Sequence, residues 1–224
     1  MRAAGTVGLM DVDVPTSLGP GRLVVDAADA PSSVLWLGHG AGGGIGAVDL
    51  AALARALPEH GITVVRYEQP WRVAGRRVAA RPPSLDIAWE ETAPVVTELA
   101  DGLPLVVGGR SAGARVACRT AASVGAVGVV CLAFPLHPPG SPEKSRLSEL
   151  LTPEVPVLVL QGERDTFGSA ATLISEVGAR SNIRIVPVPG AGHGMKVAAS
   201  APLNARGVAD LVTASVAEFV AGVS

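Results

Sequence analysis

Three side chains in this sequence could together open an acyl bond. Ser111 stands in Gly108-Gly109-Arg110-Ser111-Ala112-Gly113, Asp165 in Gln161-Gly162-Glu163-Arg164-Asp165, and His193 in Gly190-Ala191-Gly192-His193-Gly194. A free serine hydroxyl is a weak nucleophile and needs a base within hydrogen-bond reach. A histidine can take its proton and return it to the leaving group. A carboxylate on the far imidazole nitrogen fixes the tautomer and stabilises the imidazolium. The oxyanion that develops on the substrate needs two fixed donors. The Ala112 amide, at the start of an expected helix, is one candidate. The Ala41 amide, in Gly38-His39-Gly40-Ala41-Gly42-Gly43-Gly44, is the other.

Each assignment has a local competitor. Glu163 follows the same apolar run as Asp165 and is the alternative acid. Of the four histidines, His60 precedes Gly61 at an expected helix end, where a capping or charge–dipole role fits. His39 lies inside the glycine loop, where it can order backbone. His137, in Phe134-Pro135-Leu136-His137-Pro138-Pro139-Gly140, could line the site. Only His193 follows the last apolar run and the acid. Gly40, Arg110 and Trp71 complete the pocket candidates. Arg110 could orient an anionic substrate or form a structural ion pair. Arg76 and Arg77 read as solvated charges.

These residues must be brought together by the elements between them. Near-continuous, β-branched apolar runs occur at 32–40, 61–69, 103–109, 126–134, 155–162 and 182–190. Runs of this kind read as strands buried on both faces, as in a parallel sheet. Two earlier segments, 8–15 and 21–28, read as a hairpin across Gly19-Pro20-Gly21. Helical patterns fill the intervals at 48–61, 85–102 (after Pro82-Pro83-Ser84), 111–125, 170–181 and 208–222. Repeated β–α alternation predicts an α/β sheet, mostly parallel and doubly wound, with helices on both faces. Chemistry in such sheets gathers beyond the carboxyl ends of the strands, where the glycine loop, Ser111, Asp165 and His193 all fall. With no linker, repeat or composition break, residues 1–224 are expected to form one domain.

Bulk properties narrow the classes of function. The chain has 224 residues, 48% hydrophobic and 17% charged, with a net charge of −2, so no basic surface for nucleic acid or anionic lipid is expected. Cys118 and Cys131 lie in apolar runs and read as buried free thiols of a reducing compartment. The N-terminal segment lacks the apolar core of a signal peptide, and no uninterrupted apolar run is long enough for a membrane helix. A cytoplasmic protein acting on a small-molecule acyl substrate is expected. No cofactor is required, because side chains, backbone amides and water suffice. The oligomeric state is not written in the sequence.

Together, the segments 38–44, 108–119, 134–140, 161–168 and 190–196 resemble small α/β hydrolases related to dienelactone hydrolase. Within these, they resemble bacterial members of the family that contains testis-expressed protein thirty and the scaffold subunit of the histone-acetylating NSL complex. The resemblance runs from about Ser32 to the C-terminus. It implies an α/β-hydrolase core in which Ser111, Asp165 and His193 occupy the triad positions. Dienelactone hydrolases carry a cysteine nucleophile where this chain has Ser111. The segment between Phe134 and Val155 has room for one short helix around 145–151, so no large lid domain is expected. An open site suits a small or water-soluble acyl group.

Two other readings compete. Gly38-His39-Gly40-Ala41-Gly42-Gly43, with Glu68 ending the next strand, mimics a dinucleotide fingerprint. It leaves Ser111, Asp165 and His193 unexplained. A weakly active or inactive interaction protein on a hydrolase scaffold is the second alternative, because a fold does not fix a function. No Gly-Lys-Ser/Thr follows a glycine cluster, and no zinc-binding spacing of His and Cys occurs.

Overall fold

The computed structural model describes residues 9–224. The N-terminal segment read for a signal peptide falls largely on residues 1–8, outside the described residues. The hairpin is present: β1 (Leu9–Val14) and β2 (Gly21–Asp26) pair antiparallel, with Val14 opposite Gly21. It adds one edge to a sheet built from β3 (Ser33–Gly38), β4 (Ile62–Glu68), β5 (Leu105–Arg110), β6 (Gly128–Leu132), β7 (Val157–Gly162) and β8 (Ile183–Val188). The eight strands run in the order β1-β2-β4-β3-β5-β6-β7-β8, and every pairing from β4 to β8 is parallel.

The apolar runs are buried as their composition dictates. Every residue of β3, β6 and β7 is buried. The last run departs from expectation: among the described residues β8 pairs with β7 alone, and Arg184 and Pro187 are exposed. As an edge strand it needs a partner for only one side of its backbone, and Pro187, which has no N–H to donate, is tolerated there.

Helices cover both faces. On one, α1 (Val48–Ala56) packs beside α7 (Ala205–Val223), and Leu50, Leu53, Val212 and Val216 close over Leu35, Val64 and Val130. On the other lie α2 (Pro70–Val73), α3 (Pro82–Ala100), α4 (Ala112–Thr120), α5 (Leu147–Leu150) and α6 (Ala170–Val177). Their core centres on Trp36 of β3, stacked on Trp89 of α3 with ring centroids 3.6 Å apart. Segment 133–156 carries only α5, so there is no large lid. Cys118 and Cys131 are buried and free, their sulfurs 3.5 Å apart, and the hydrogen bond with Cys118, together with burial, pushes the Cys131 pKa up.

Candidate active site

Because β3, β5, β7 and β8 are parallel, the loops that follow them leave the same edge of the sheet. The corner after β5 is the tightest. Strand β5 ends at Arg110 and α4 begins at Ala112, so Ser111 alone makes the turn, at φ 53° and ψ −109°. A residue with a side chain is strained in that region and stays there only when its surroundings impose it. The Ser111 amide donates to the Leu132 carbonyl at 3.0 Å, and its carbonyl accepts from the Arg115 amide at 3.2 Å. Helix α4 also lies directly on β3: a Cβ on Gly109 or Gly113 would run into the Gly38 carbonyl oxygen. Glycine at both positions is a packing requirement of the corner.

The corner lifts the Ser111 hydroxyl to His193. Ser111 Oγ lies 2.9 Å from His193 Nε2, and His193 Nδ1 lies 2.9 Å from Asp165 Oδ2 and 3.1 Å from Oδ1. The Asp165 carboxylate can only accept, so Nδ1 carries the imidazole proton and Nε2 accepts from the serine hydroxyl. The Asp165 side chain is fully buried. It also accepts from the Phe167 amide at 2.8 Å and from Gln161 Nε2 at 3.1 Å. The Phe167 ring stacks on the imidazole, with centroids 4.1 Å apart. Glu163, the alternative acid, accepts from the Gly190 amide at 2.9 Å and so braces the start of the histidine loop.

Beside Ser111 opens a cleft of about 380 Å³, whose walls include Gly40, Ala41, Arg110, Ala112 and His193. Ala112 is the first residue of α4, where backbone N–H groups have no intrahelical acceptor. His39 lies behind this wall, buried: its Nε2 accepts from the Gln69 amide at 3.2 Å, and Nδ1–H donates to the Gly40 carbonyl at 2.9 Å. Burial pushes its pKa below the usual 6.5, which keeps the ring neutral and the loop ordered. Trp71 meets the His39 ring edge-on at 5.5 Å and, with Pro70 and Arg76, lines a different cleft of about 310 Å³. His137 hydrogen-bonds the Pro138 carbonyl at 3.0 Å through Nδ1. Neither Trp71 nor His137 is part of the wall around Ser111. Trp71 shares a narrow cavity with His39, Ala41 and Ala112, next to the cleft that holds Ser111, and the His137 amide donates to the Phe167 carbonyl at 3.0 Å.

Arg110 forms the ion pair that was one of its two readings. Its Nε lies 3.0 Å from Asp49 Oδ2, at the start of α1, and its Nη2 donates to the His193 carbonyl. The Asp49 side chain is almost wholly buried, and desolvation raises its pKa against the opposing pull of Arg110. Asp49 gave no signal in the sequence beyond a helix start. Arg115, Arg146 and Phe167 also line the cleft without having been singled out. Arg115 was legible in principle, one helical turn beyond Ser111. Arg146 lies on a remote loop and was not.

Glu68, the acid of the dinucleotide reading, pairs with Arg22 of the neighbouring strand. Among the described residues, no group of three or more His, Cys, Asp or Glu side chains is placed to hold a metal ion. No helix among them is long and apolar enough to cross a membrane.

A strained serine at a strand–helix corner, facing a histidine from beyond the last strand, defines a class. The chain belongs to the alpha/beta hydrolase domain family, whose model matches residues 31–221. Among solved structures it is similar to XC6422 from Xanthomonas campestris, described as an a/b serine hydrolase without lid. The identity there is 21%, covering 95% of this chain and 94% of that one, with a TM-score of 0.71. An alpha-beta serine hydrolase homologue from Coxiella burnetii is similar at 15% identity, 95% and 99% coverage and a TM-score of 0.74. Est1E from Butyrivibrio proteoclasticus is similar at 13% identity, 94% and 99% coverage and a TM-score of 0.73. At these identities the likeness concerns the fold. No curated protein matches the chain in sequence.

Proposed function

We propose that this protein is a serine hydrolase that cleaves small acyl esters or thioesters through an acyl-enzyme. The observation that carries the reading is the unbroken chain Ser111 Oγ–His193 Nε2 and His193 Nδ1–Asp165, each link 2.9 Å at its shortest. His193 takes the hydroxyl proton as Ser111 Oγ bonds to the substrate carbonyl carbon. The Ala112 and Ala41 amides hold the resulting oxyanion. Collapse breaks the bond to the leaving group, which departs with the proton from His193. Water, deprotonated by His193, then attacks the acyl-enzyme, and the carboxylic acid leaves as Ser111 recovers its proton. Asp165 stabilises the imidazolium in both halves. Arg110 acts as a positioning residue, tying the His193 loop to α1.

The open cleft and the single short helix in segment 133–156 support a small acyl group. The two adjacent free thiols support a reducing, cytoplasmic setting. The narrower kinship with testis-expressed protein thirty belongs to the same proposal and rests on the motif segments.

The test is labelling by a fluorophosphonate, which reacts with an activated serine. Wild type is expected to be labelled and Ser111→Ala unlabelled. A folded wild type that resists labelling overturns the reading in favour of an interaction protein on a hydrolase scaffold. An ester panel of rising acyl length is expected to favour short chains, and a strong preference for long chains refutes the open-site assignment.

A further inference from the structure

Three arginines, Arg110, Arg115 and Arg146, line the cleft beside Ser111, and no Asp or Glu among the described residues lines it. Their charges are not equally neutralised. Arg110 pairs with Asp49. Arg115 holds Glu149 in a two-point contact, Nε to Oε2 at 2.8 Å and Nη2 to Oε1 at 2.6 Å. Arg119 of α4 takes the Glu149 Oε2 atom as well, and pairs with Asp86 through Nε at 2.8 Å and Nη2 at 2.7 Å. Both Glu149 oxygens are thus committed, and among the described residues the group Arg115, Arg119 and Arg146 has two carboxylates, Glu149 and Asp86. Arg146 is the member without an ion-pair partner among the described residues.

Arg146 is nonetheless held in place. Its Nη1 donates to the Pro135 carbonyl at 3.1 Å, and its amide donates to the Leu136 carbonyl at 2.7 Å. Both acceptors belong to the loop that leaves β6, and Pro135 itself lines the cleft. Nη1 is occupied by that carbonyl, and the edge formed by Nε and Nη2 has no protein acceptor among the described residues. That edge matches the two oxygens of a carboxylate. Burial and the neighbouring Arg115 charge lower the Arg146 pKa against the weaker pull of Glu149, so an anion placed there would offset the Arg115 repulsion.

We infer that Arg146 is the anion-binding residue of the cleft and that the substrate is an ester or thioester bearing a single carboxylate besides the scissile bond. This rests on the serine-hydrolase reading. One unneutralised guanidinium with one free edge suits one carboxylate better than a phosphate dianion.

The experiment compares esters with their carboxamide isosteres on fluorophosphonate-reactive protein: monomethyl glutarate against methyl glutaramate for an acyl-side charge, and 4-acetoxybenzoate against 4-acetoxybenzamide for a leaving-group charge. In one pair the carboxylate is expected to lead in kcat/KM by about tenfold or more. That ratio is expected to shrink as salt rises. Arg146→Gln is expected to bring it to about one, and Arg146→Lys to keep part of it, since charge remains but the fork is lost. Wild type that is labelled but shows no carboxylate preference in either pair overturns this inference alone. So does an unchanged ratio in Arg146→Gln, or a stronger preference for 4-acetoxyphenyl phosphate than for 4-acetoxybenzoate. A wild-type ratio that does not shrink with salt overturns the inference even if the variants fold poorly. Wild type without labelling overturns the hydrolase reading, and this inference with it.

Discussion

Ser111 and His193 meet at 2.9 Å, yet the molecule holds them by different means. Ser111 is held by backbone: a positive φ, the amide bond to Leu132, and glycines that let α4 lie on β3. His193 is held by side chains that converge from other elements: Asp165, Phe167 and, through its carbonyl, Arg110 anchored on Asp49. A backbone scaffold is insensitive to pH and salt but must shift to admit even one extra methyl group. A side-chain scaffold can be adjusted, and it carries the electrostatic sensitivity of every partner.

The comparison can be broken first at the acid. Asp165→Asn should lower kcat by about 10³- to 10⁴-fold with the fold intact, because the amide favours the wrong imidazole tautomer. Kinetics on a chromogenic ester, with circular dichroism as control, checks this. A loss below tenfold would return Glu163 to contention.

Arg110→Gln strikes the side-chain scaffold next. It strands a buried carboxylate and should cost about 3–5 kcal/mol at neutral pH, read by urea unfolding. The sign with pH is fixed by Asp49. Its folded pKa is already raised, and removing Arg110 takes away the group that lowers it. The folded state then binds a proton more readily than the unfolded one, so stability falls as pH rises through that window. The gap between variant and wild type should therefore narrow as the pH is lowered. A gap independent of pH would mean that Asp49 is not the group left unpaired.

Gly113→Ala tests the backbone scaffold. A methyl group facing the Gly38 carbonyl should cost about 1–3 kcal/mol with no pH dependence. A variant as stable as wild type would show that the corner can open. The smallest effect is expected for Glu163→Gln, which keeps an acceptor for the Gly190 amide. Stability should change by less than about 1 kcal/mol, and activity on a neutral ester should stay within about twofold of wild type.

The two scaffolds were not equally legible. Gly109 and Gly113 flank Ser111 in the sequence, and the need for a tight strand–helix corner could be read locally, although the backbone they make room for, Gly38 of β3, is remote in the chain. The order Ser111, Asp165, His193 placed the site at one edge of a parallel sheet. The partners of those residues were mostly hidden. Asp49 is remote from Arg110 in the chain, and only the parallel packing of β3 and β5 brings the start of α1 to it. Trp71 follows a strand, which makes it a pocket candidate; only the packing of α2 shows that its ring meets His39 and lines a cavity with Ala41 and Ala112. The last apolar run looked buried on both faces, and periodicity alone could not tell that β8 would lie at an edge.

The chain by itself set which residues can react, since the hydroxyl, imidazole and carboxylate are chemical facts of residue type. It also set that they lie beyond strand ends, since β-branched runs bury both faces and glycines permit the corner. The tertiary structure alone decided which charges are cancelled. Ion pairing depends on distances between residues far apart in sequence, and among the described residues those distances leave Arg146, alone of the three cleft arginines, without a carboxylate of its own.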